Sequence, residues 1–189
     1  MHTKKMIFET IISTISKGGK VNFAPFGIKR NRDYLYISPY IPSTTLSNLN
    51  LTNEAVVNYV DDASFFVECI IGKKSFEKKK CKNVNGYYLS KALAHDEVVV
   101  ESVKNDKIRP IFKCKVIHRS LHKRFEGFNR ANGALIEACI LASRVRILKK
   151  SIIIRELNNL ANAIEKTAGV KEKKNWKLIR NYILNESSK

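Results

Sequence analysis

The chain has 189 residues and carries 35 Lys and Arg against 17 Asp and Glu, a formal charge of +18. That length suffices for one core burying roughly 70% of the unfolded surface, and no Pro/Gly/Ser linker marks a second independent domain. The longest apolar stretches, such as Ala138 to Ser143, fall far short of the ~20 residues that span a bilayer, and no secretory signal pattern opens the chain, so a soluble cytoplasmic protein is expected.

The positive charge is spread from Lys4 to Lys189 and comes with abundant Asn and Ile, without an RNP-type aromatic signature or zinc-finger spacing. Nucleic acid is therefore a weak candidate as partner. Cys69, Cys81, Cys114 and Cys139 form no CxxC pair and have no His at zinc spacing, so reduced, mostly buried thiols and no metal are expected.

In chain order, Met6 to Thr14 reads as a strand, and Gly18-Gly19 as the turn out of it. Val21 to Ile28 follows as a second strand whose Pro25 lacks a ladder donor, so pairing is expected to break there. Ala24 and Gly27 are small enough to let a flat ring approach. An edge strand with a bulge explains the same residues. Tyr34 to Ile37 is a third strand, and Pro42-Ser43-Thr44-Thr45 hands it over to a helix bearing Leu46 and Leu49. Three hydroxyl residues at a helix start stand beside unpaired N–H groups, where the helix dipole favours an anion. An ordinary Ser43 or Thr44 cap accounts for part of that pattern.

Glu54 to Val60 is a further strand, Asp62 caps the turn at Ala63, and Phe65 to Ile71 reads as an interior strand closed by Gly72. Lys73 to Tyr88 reads as an irregular surface excursion, and Ser90 to Ala94 as a short helix. His95 has no evident partner. Glu97 to Val103 and Ile108 to His118 form a hairpin across Asn105-Asp106, with Phe112, Cys114, Val116 and His118 on one inward face. His118 is then either a half-buried structural histidine or a ligand contact. Beyond Gly127 the period becomes helical: Leu135, Ala138, Cys139 and Ala142, then Ile153, Leu157, Leu160, Ala161 and Ile164 up to Gly169, then Trp176, Ile179 and Ile183. Strands first and helices last argue for an α+β barrel with a helical cap.

Six motifs together carry a family resemblance: Ile7-Phe8-Glu9-Thr10, Ala24-Pro25-Phe26-Gly27, Ser43-Thr44-Thr45-Leu46 with Asn48-Leu49, Ala55-Val56-Val57-Asn58 with Asp61-Asp62, Gly127-Phe128-Asn129-Arg130-Ala131, and Glu165-Lys166-Thr167-Ala168-Gly169. The chain resembles the FMN-binding split-barrel proteins, most closely the archaeal-type family known as domain of unknown function 447. The resemblance implies an FMN-binding split β-barrel over residues 1–126, with a C-terminal helical region over 127–189 packed on it and not independent. It also implies a homodimer with FMN near the subunit interface.

By that resemblance Ala24, Pro25, Phe26 and Gly27 line the isoalloxazine edge, and Ser43, Thr44 and Thr45 hold the phosphate. Asn22, Pro39 and Asn48 face the ribityl chain or the ring. His118, Asn129 and Arg130 close the site from the same or the partner subunit. The arginine-and-lysine phosphate motif of pyridoxamine-phosphate oxidases is absent. Three functions follow as alternatives: a flavin-reductase-like oxidoreductase of unknown substrate, a non-catalytic FMN carrier, and a basic nucleic-acid-binding protein. No catalytic side chain is singled out, because a flavin itself supplies the difficult chemistry.

Overall fold

The alternation in the first half of the chain closes into a barrel. In a computed structural model, which describes residues 6–73 and 75–187, the strands are β1 (Ile7–Ile15), β2 (Val21–Asn31), β3 (Tyr34–Ile37), β4 (Glu54–Tyr59), β5 (Lys78–Lys80), β6 (Tyr87–Leu89), β7 (Ala94–Lys104) and β8 (Ile111–Leu121). Six of them form the closed barrel in the order β1-β2-β3-β8-β7-β4, and β5 and β6 form a separate two-stranded ladder. Every pairing is antiparallel.

Side chains alternate across each strand, so Ile12, Ile28, Leu35, Ile37, Val57, Val98, Phe112 and Cys114 meet inside, joined by Leu49 from α1 (Thr44–Thr52). Each such side chain contributes about 1.5–3 kcal/mol by leaving water. The chain divides into two compact units, Met1–Val60 with Lys74–Arg124, and Asp61–Lys73 with Phe125–Lys189. The first is the barrel. The second is helical: α2 (Ser64–Ile70), α3 (Arg130–Ala142), α4 (Lys150–Thr167) and α5 (Val170–Glu186) bury Phe66, Val67, Leu135, Ala138, Ile153, Leu157, Ile179 and Ile183.

Five expectations are corrected. Pairing does not break at Pro25: β1 and β2 run without a register shift from Ile7↔Lys29 to Ile15↔Val21. The proline is tolerated because β3 pairs only Lys29–Asn31, which leaves residues 21–28 with a strand on one side alone. Phe65 to Ile71 is helical, started by the Asp62 carboxylate accepting from the Ser64 N–H at 2.9 Å. A seven-residue stretch with six apolar residues and only Glu68 polar has no period that separates strand from helix.

Lys73 to Tyr88, apart from Lys74, which lies outside the described residues, keeps Lys78 to Lys80 exposed but is not an irregular excursion. It builds β5 and β6 and buries Phe76, Cys81 and Val84, with Phe76 edge-on to Phe23 at 5.3 Å and the backbone of Leu89 donating to Asn58 Oδ1 at 2.7 Å. Ser90 to Ala94 is a turn into β7 rather than a helix. Finally, the β7–β8 register shifts between Glu97↔His118 and Val98↔Val116, so Ile117 is an inserted residue. One extra residue reverses the side-chain alternation. Val116 still packs against the barrel core, whereas His118 turns outward beside Glu97.

Candidate functional site

The start of α1 is the place where polar groups are left over. Ser43 is its N-cap, with Oγ accepting from Leu46 N–H at 3.2 Å, and the Ser47 N–H returns to the Ser43 carbonyl at 3.1 Å. That leaves the N–H groups of Thr44 and Thr45 with no hydrogen-bond partner among the described residues. Thr44 is exposed, and Thr45 is buried with its hydroxyl accepting from Asn22 Nδ2 at 3.2 Å. The Thr45 hydroxyl proton remains available to donate. Two free N–H groups, two hydroxyls and the positive end of a nine-residue helix make an anion cradle.

The Asn22–Thr45 bond fixes where β2 lies relative to that cradle. All seven residues from Val21 to Gly27 are half-buried, and the side of the strand turned from β1 has no strand partner. A strand edge of this kind offers free N–H and C=O groups to a flat polar ligand. Asn48 lies one turn further along α1, buried, with Nδ2 donating to Thr14 Oγ1 at 3.0 Å. Pro39 lies in the loop leading to the helix, which is held by Arg109: its Nη2 donates to the Ser38 carbonyl at 2.9 Å, and its guanidinium sits 4.3 Å from the Tyr40 ring centre.

The Asn22–Thr45 bond thus brings Asn22 to the start of α1 beside Ser43 and Thr44; Asn48 follows one turn along the helix, and Ala24, Pro25, Phe26 and Gly27 follow Asn22 along β2. Gly27 has a cause of its own in the barrel wall. A Cβ there would stand 2.8 Å from Ile7 Cγ2 and 3.0 Å from Glu9 Oε1.

The remaining three candidates have other partners. Asn129 is the N-cap of α3, accepting from Ala131 and Asn132 N–H at 2.8 and 3.3 Å and donating to the Thr167 carbonyl at 3.1 Å. Arg130 opens the same helix and is exposed. His118 lies 3.1 Å from Ser120 Oγ through Nε2, with its ring centre 6.1 Å from that of His95.

Around His95 is a polar cluster that the sequence reading missed. Glu97 is fully buried and accepts three backbone N–H groups, Lys82 at 3.0 Å on Oε1 and Asn83 and Val84 at 2.7 and 2.9 Å on Oε2. Burial pushes its carboxyl up, but those three bonds and His95 prevail and hold it below its ordinary value. His95 Nδ1 lies 2.7 Å from His122 Nε2, and the ring of Tyr88 stacks on both imidazoles at 4.2 and 4.7 Å. Burial pushes both histidines down, toward the neutral form. Burial, with Glu97 and Glu54 adding, raises the Cys81 thiol to about 12. These partners come from three stretches of chain, so only the presence of two histidines and a glutamate on or near one hairpin hinted at them.

The N-terminal domain profile of the family described as protein of unknown function (DUF447) matches residues 8–123, and that of its C-terminal part matches residues 129–181. No curated protein matches in sequence. Similar solved structures include the FMN-bound protein MM1853 from Methanosarcina mazei, of the same family, 22% identical over 95% of this chain and 96% of that one, with a TM-score of 0.80. The 2-nitrobenzoate 2-nitroreductase NbaA of Pseudomonas fluorescens is 14% identical over 64% of this chain and 67% of that one, with a TM-score of 0.54. An FMN-binding protein from Thermus thermophilus, with bound p-hydroxybenzaldehyde, is 14% identical over 67% and 77%, with a TM-score of 0.53. The six-stranded barrel with helices after it is the FMN-binding split-barrel fold, and the chain belongs to the DUF447 family.

Proposed function

We propose that this chain is an FMN-binding flavoprotein of flavin-reductase-like type, an oxidoreductase that works as a homodimer with its cofactor held on the barrel. The single observation that carries the reading is the Asn22–Thr45 bond, which seats the unpartnered edge of β2 beside two unspent N–H groups at the start of α1. One end of that arrangement suits a phosphate, and the other suits the polar rim of a flat ring. The FMN-bound family member supports the choice of flavin.

When bound, FMN supplies hydride and electron transfer. The protein's own part is to bind and orient. Thr44 and Thr45 would donate N–H and O–H groups to phosphate oxygens, each charge-assisted bond contributing about 1.5–3 kcal/mol. Asn22 would hold the Thr45 hydroxyl in place, and Arg109 would keep the Ser38 to Pro42 approach to the helix fixed. The backbone of Ala24 to Gly27 would meet the ring's polar edge, with Phe26 covering apolar surface from the barrel side. Phosphate contacts alone leave affinity near micromolar after association costs, so burial of the ring must add to them. Tyr40, Ile41 and Ile108 are exposed apolar residues joined by the Ile41 N–H to Ile108 carbonyl bond at 3.0 Å, a surface that a second copy would cover.

The test is the visible spectrum of the freshly purified protein, with and without added FMN, followed by reoxidation of the reduced form with a panel of small-molecule acceptors. A bound-flavin spectrum and an acceptor reduced faster than by free reduced FMN are expected. A flavin spectrum with no such acceptor would leave a carrier in its place. A colourless protein that takes up no FMN would overturn the reading.

A further inference from the structure

We propose that Cys81, His95 and Glu97 form a site for one divalent cation of the zinc type, which clamps the β5–β6 lobe to the outer face of β7. The inference does not rest on flavin binding. The Cys81 sulfur, a His95 ring nitrogen and a Glu97 carboxylate oxygen lie within 4.8 Å of one another, and all three residues are buried. A thiol, an imidazole and a carboxylate are the donor set of zinc and its neighbours, whereas magnesium and calcium take oxygen alone.

The detailed geometry separates ligand atoms from supporting ones. His95 Nε2 stands 3.4 Å from Glu97 Oε1. That is long for a charge-assisted hydrogen bond, and it matches the edge of about 3.4 Å between two ligands placed at about 2.0–2.1 Å on a tetrahedral ion. The other polar atoms of both residues are already committed. Glu97 Oε2 accepts two N–H groups, Oε1 accepts one and keeps a second lone pair, and His95 Nδ1 is engaged by His122 at 2.7 Å. Metal-bound histidines and carboxylates are oriented in this manner by groups behind them. Cys81 is brought to the same point by its own backbone, whose N–H donates to the Gly86 carbonyl at 3.0 Å, while the next three residues fold over Glu97.

The chemistry balances simply. The cation displaces the thiol proton of Cys81 to solvent and bonds to the thiolate, the neutral Nε2 of His95 and the Glu97 carboxylate, with water in the fourth position. His95 then carries its proton on Nδ1 and donates it to His122 Nε2. The ion's two positive charges are matched by the thiolate and the carboxylate.

The experiment is a cobalt(II) titration of the full-length protein, read by absorbance at wavelengths beyond the flavin bands and by the thiolate-to-metal band in difference spectra. One equivalent giving tetrahedral cobalt bands with thiolate charge transfer is expected, with at least tenfold weaker binding in both Cys81→Ser and His95→Gln and loss of the charge-transfer band in the first. A wild-type spectrum of octahedral type, or equal affinity in Cys81→Ser, would overturn the site. Should either variant fail to fold, nitrogen-edited histidine spectra of the wild type decide. In the zinc-loaded wild type His95 must carry its proton on Nδ1 with a metal-shifted Nε2, and an Nε2–H ring in the presence of zinc would overturn the site.

Discussion

Two polar regions of one barrel are built in opposite ways. At the start of α1, Ser43 satisfies one N–H and the helix is left with the N–H groups of Thr44 and Thr45 unspent. Beneath the β5–β6 lobe, the Glu97 carboxylate is fully buried and every acceptor position it shows is turned toward the 82–84 backbone or His95. Leaving donors unmatched costs stability, and filling a buried pocket with matched ones anchors a segment. On the proposed function the first region receives a ligand from outside, whereas the second ties the 82–84 backbone to β7.

The largest expected effect lies in the second region. Glu97→Ala removes the acceptor of three backbone N–H groups, that of Val84 buried, and should cost about 2–4 kcal/mol, read as a lower denaturant midpoint and as loss of amide-exchange protection across residues 78–89. An effect below about 1 kcal/mol would mean that water replaces the carboxylate freely and the contrast fails. In the first region, Thr44→Val with Thr45→Val should weaken FMN binding by about 10–100-fold, the loss of one or two hydrogen bonds, while stability falls by about 1–3 kcal/mol because Asn22 Nδ2 loses its acceptor. Unchanged FMN affinity would refute the phosphate assignment.

The helical unit offers a pH-dependent comparison. Asp62 is pushed up by burial, but the Lys171 ammonium and the Ser64 hydroxyl and N–H outweigh this and hold its carboxyl below the ordinary value. A depressed carboxyl contributes stability that is complete above the unfolded-state pKa of about 3.9 and is lost as pH falls through the lower folded value. Acid unfolding below about pH 4 should therefore be steeper in the wild type than in Asp62→Asn, by circular dichroism. The smallest effect on FMN affinity belongs to Gly27→Ala. The added methyl would stand 2.8 Å from Ile7 Cγ2, a branch fixed on its β-carbon, and 3.0 Å from Glu9 Oε1, so β1 must shift and a stability loss of about 1–3 kcal/mol is expected, with FMN affinity within about threefold, less than 1 kcal/mol. A larger loss of affinity would show that the glycine is kept for the ring.

Much of this organisation was legible in the chain. The alternation of β3 and β8 and the 3.6-residue period of α3 to α5 are strong signals, and Ser43-Thr44-Thr45 after Pro42 announced the helix start and its unpaired N–H groups. What stayed hidden was set by contacts distant in sequence. A bulge at Ile117 turns His118 outward, and no local pattern marks a single inserted residue. The lobe around Cys81 is specified by one carboxylate thirteen to fifteen residues away, and its lysines masked the buried Phe76 and Val84. Gly27 was read as room for a ligand because the side chains of β1 that fill that room are visible only once the strands are paired.

The central claim is that the start of α1 receives a phosphate while the β2 edge receives the ring. Titration of the flavin-free protein with FMN and, in parallel, with riboflavin tests it most directly, since the two ligands differ only in the phosphate. FMN should bind about 100-fold more tightly or better, a difference near 3 kcal/mol. Equal affinities for the two would contradict the account.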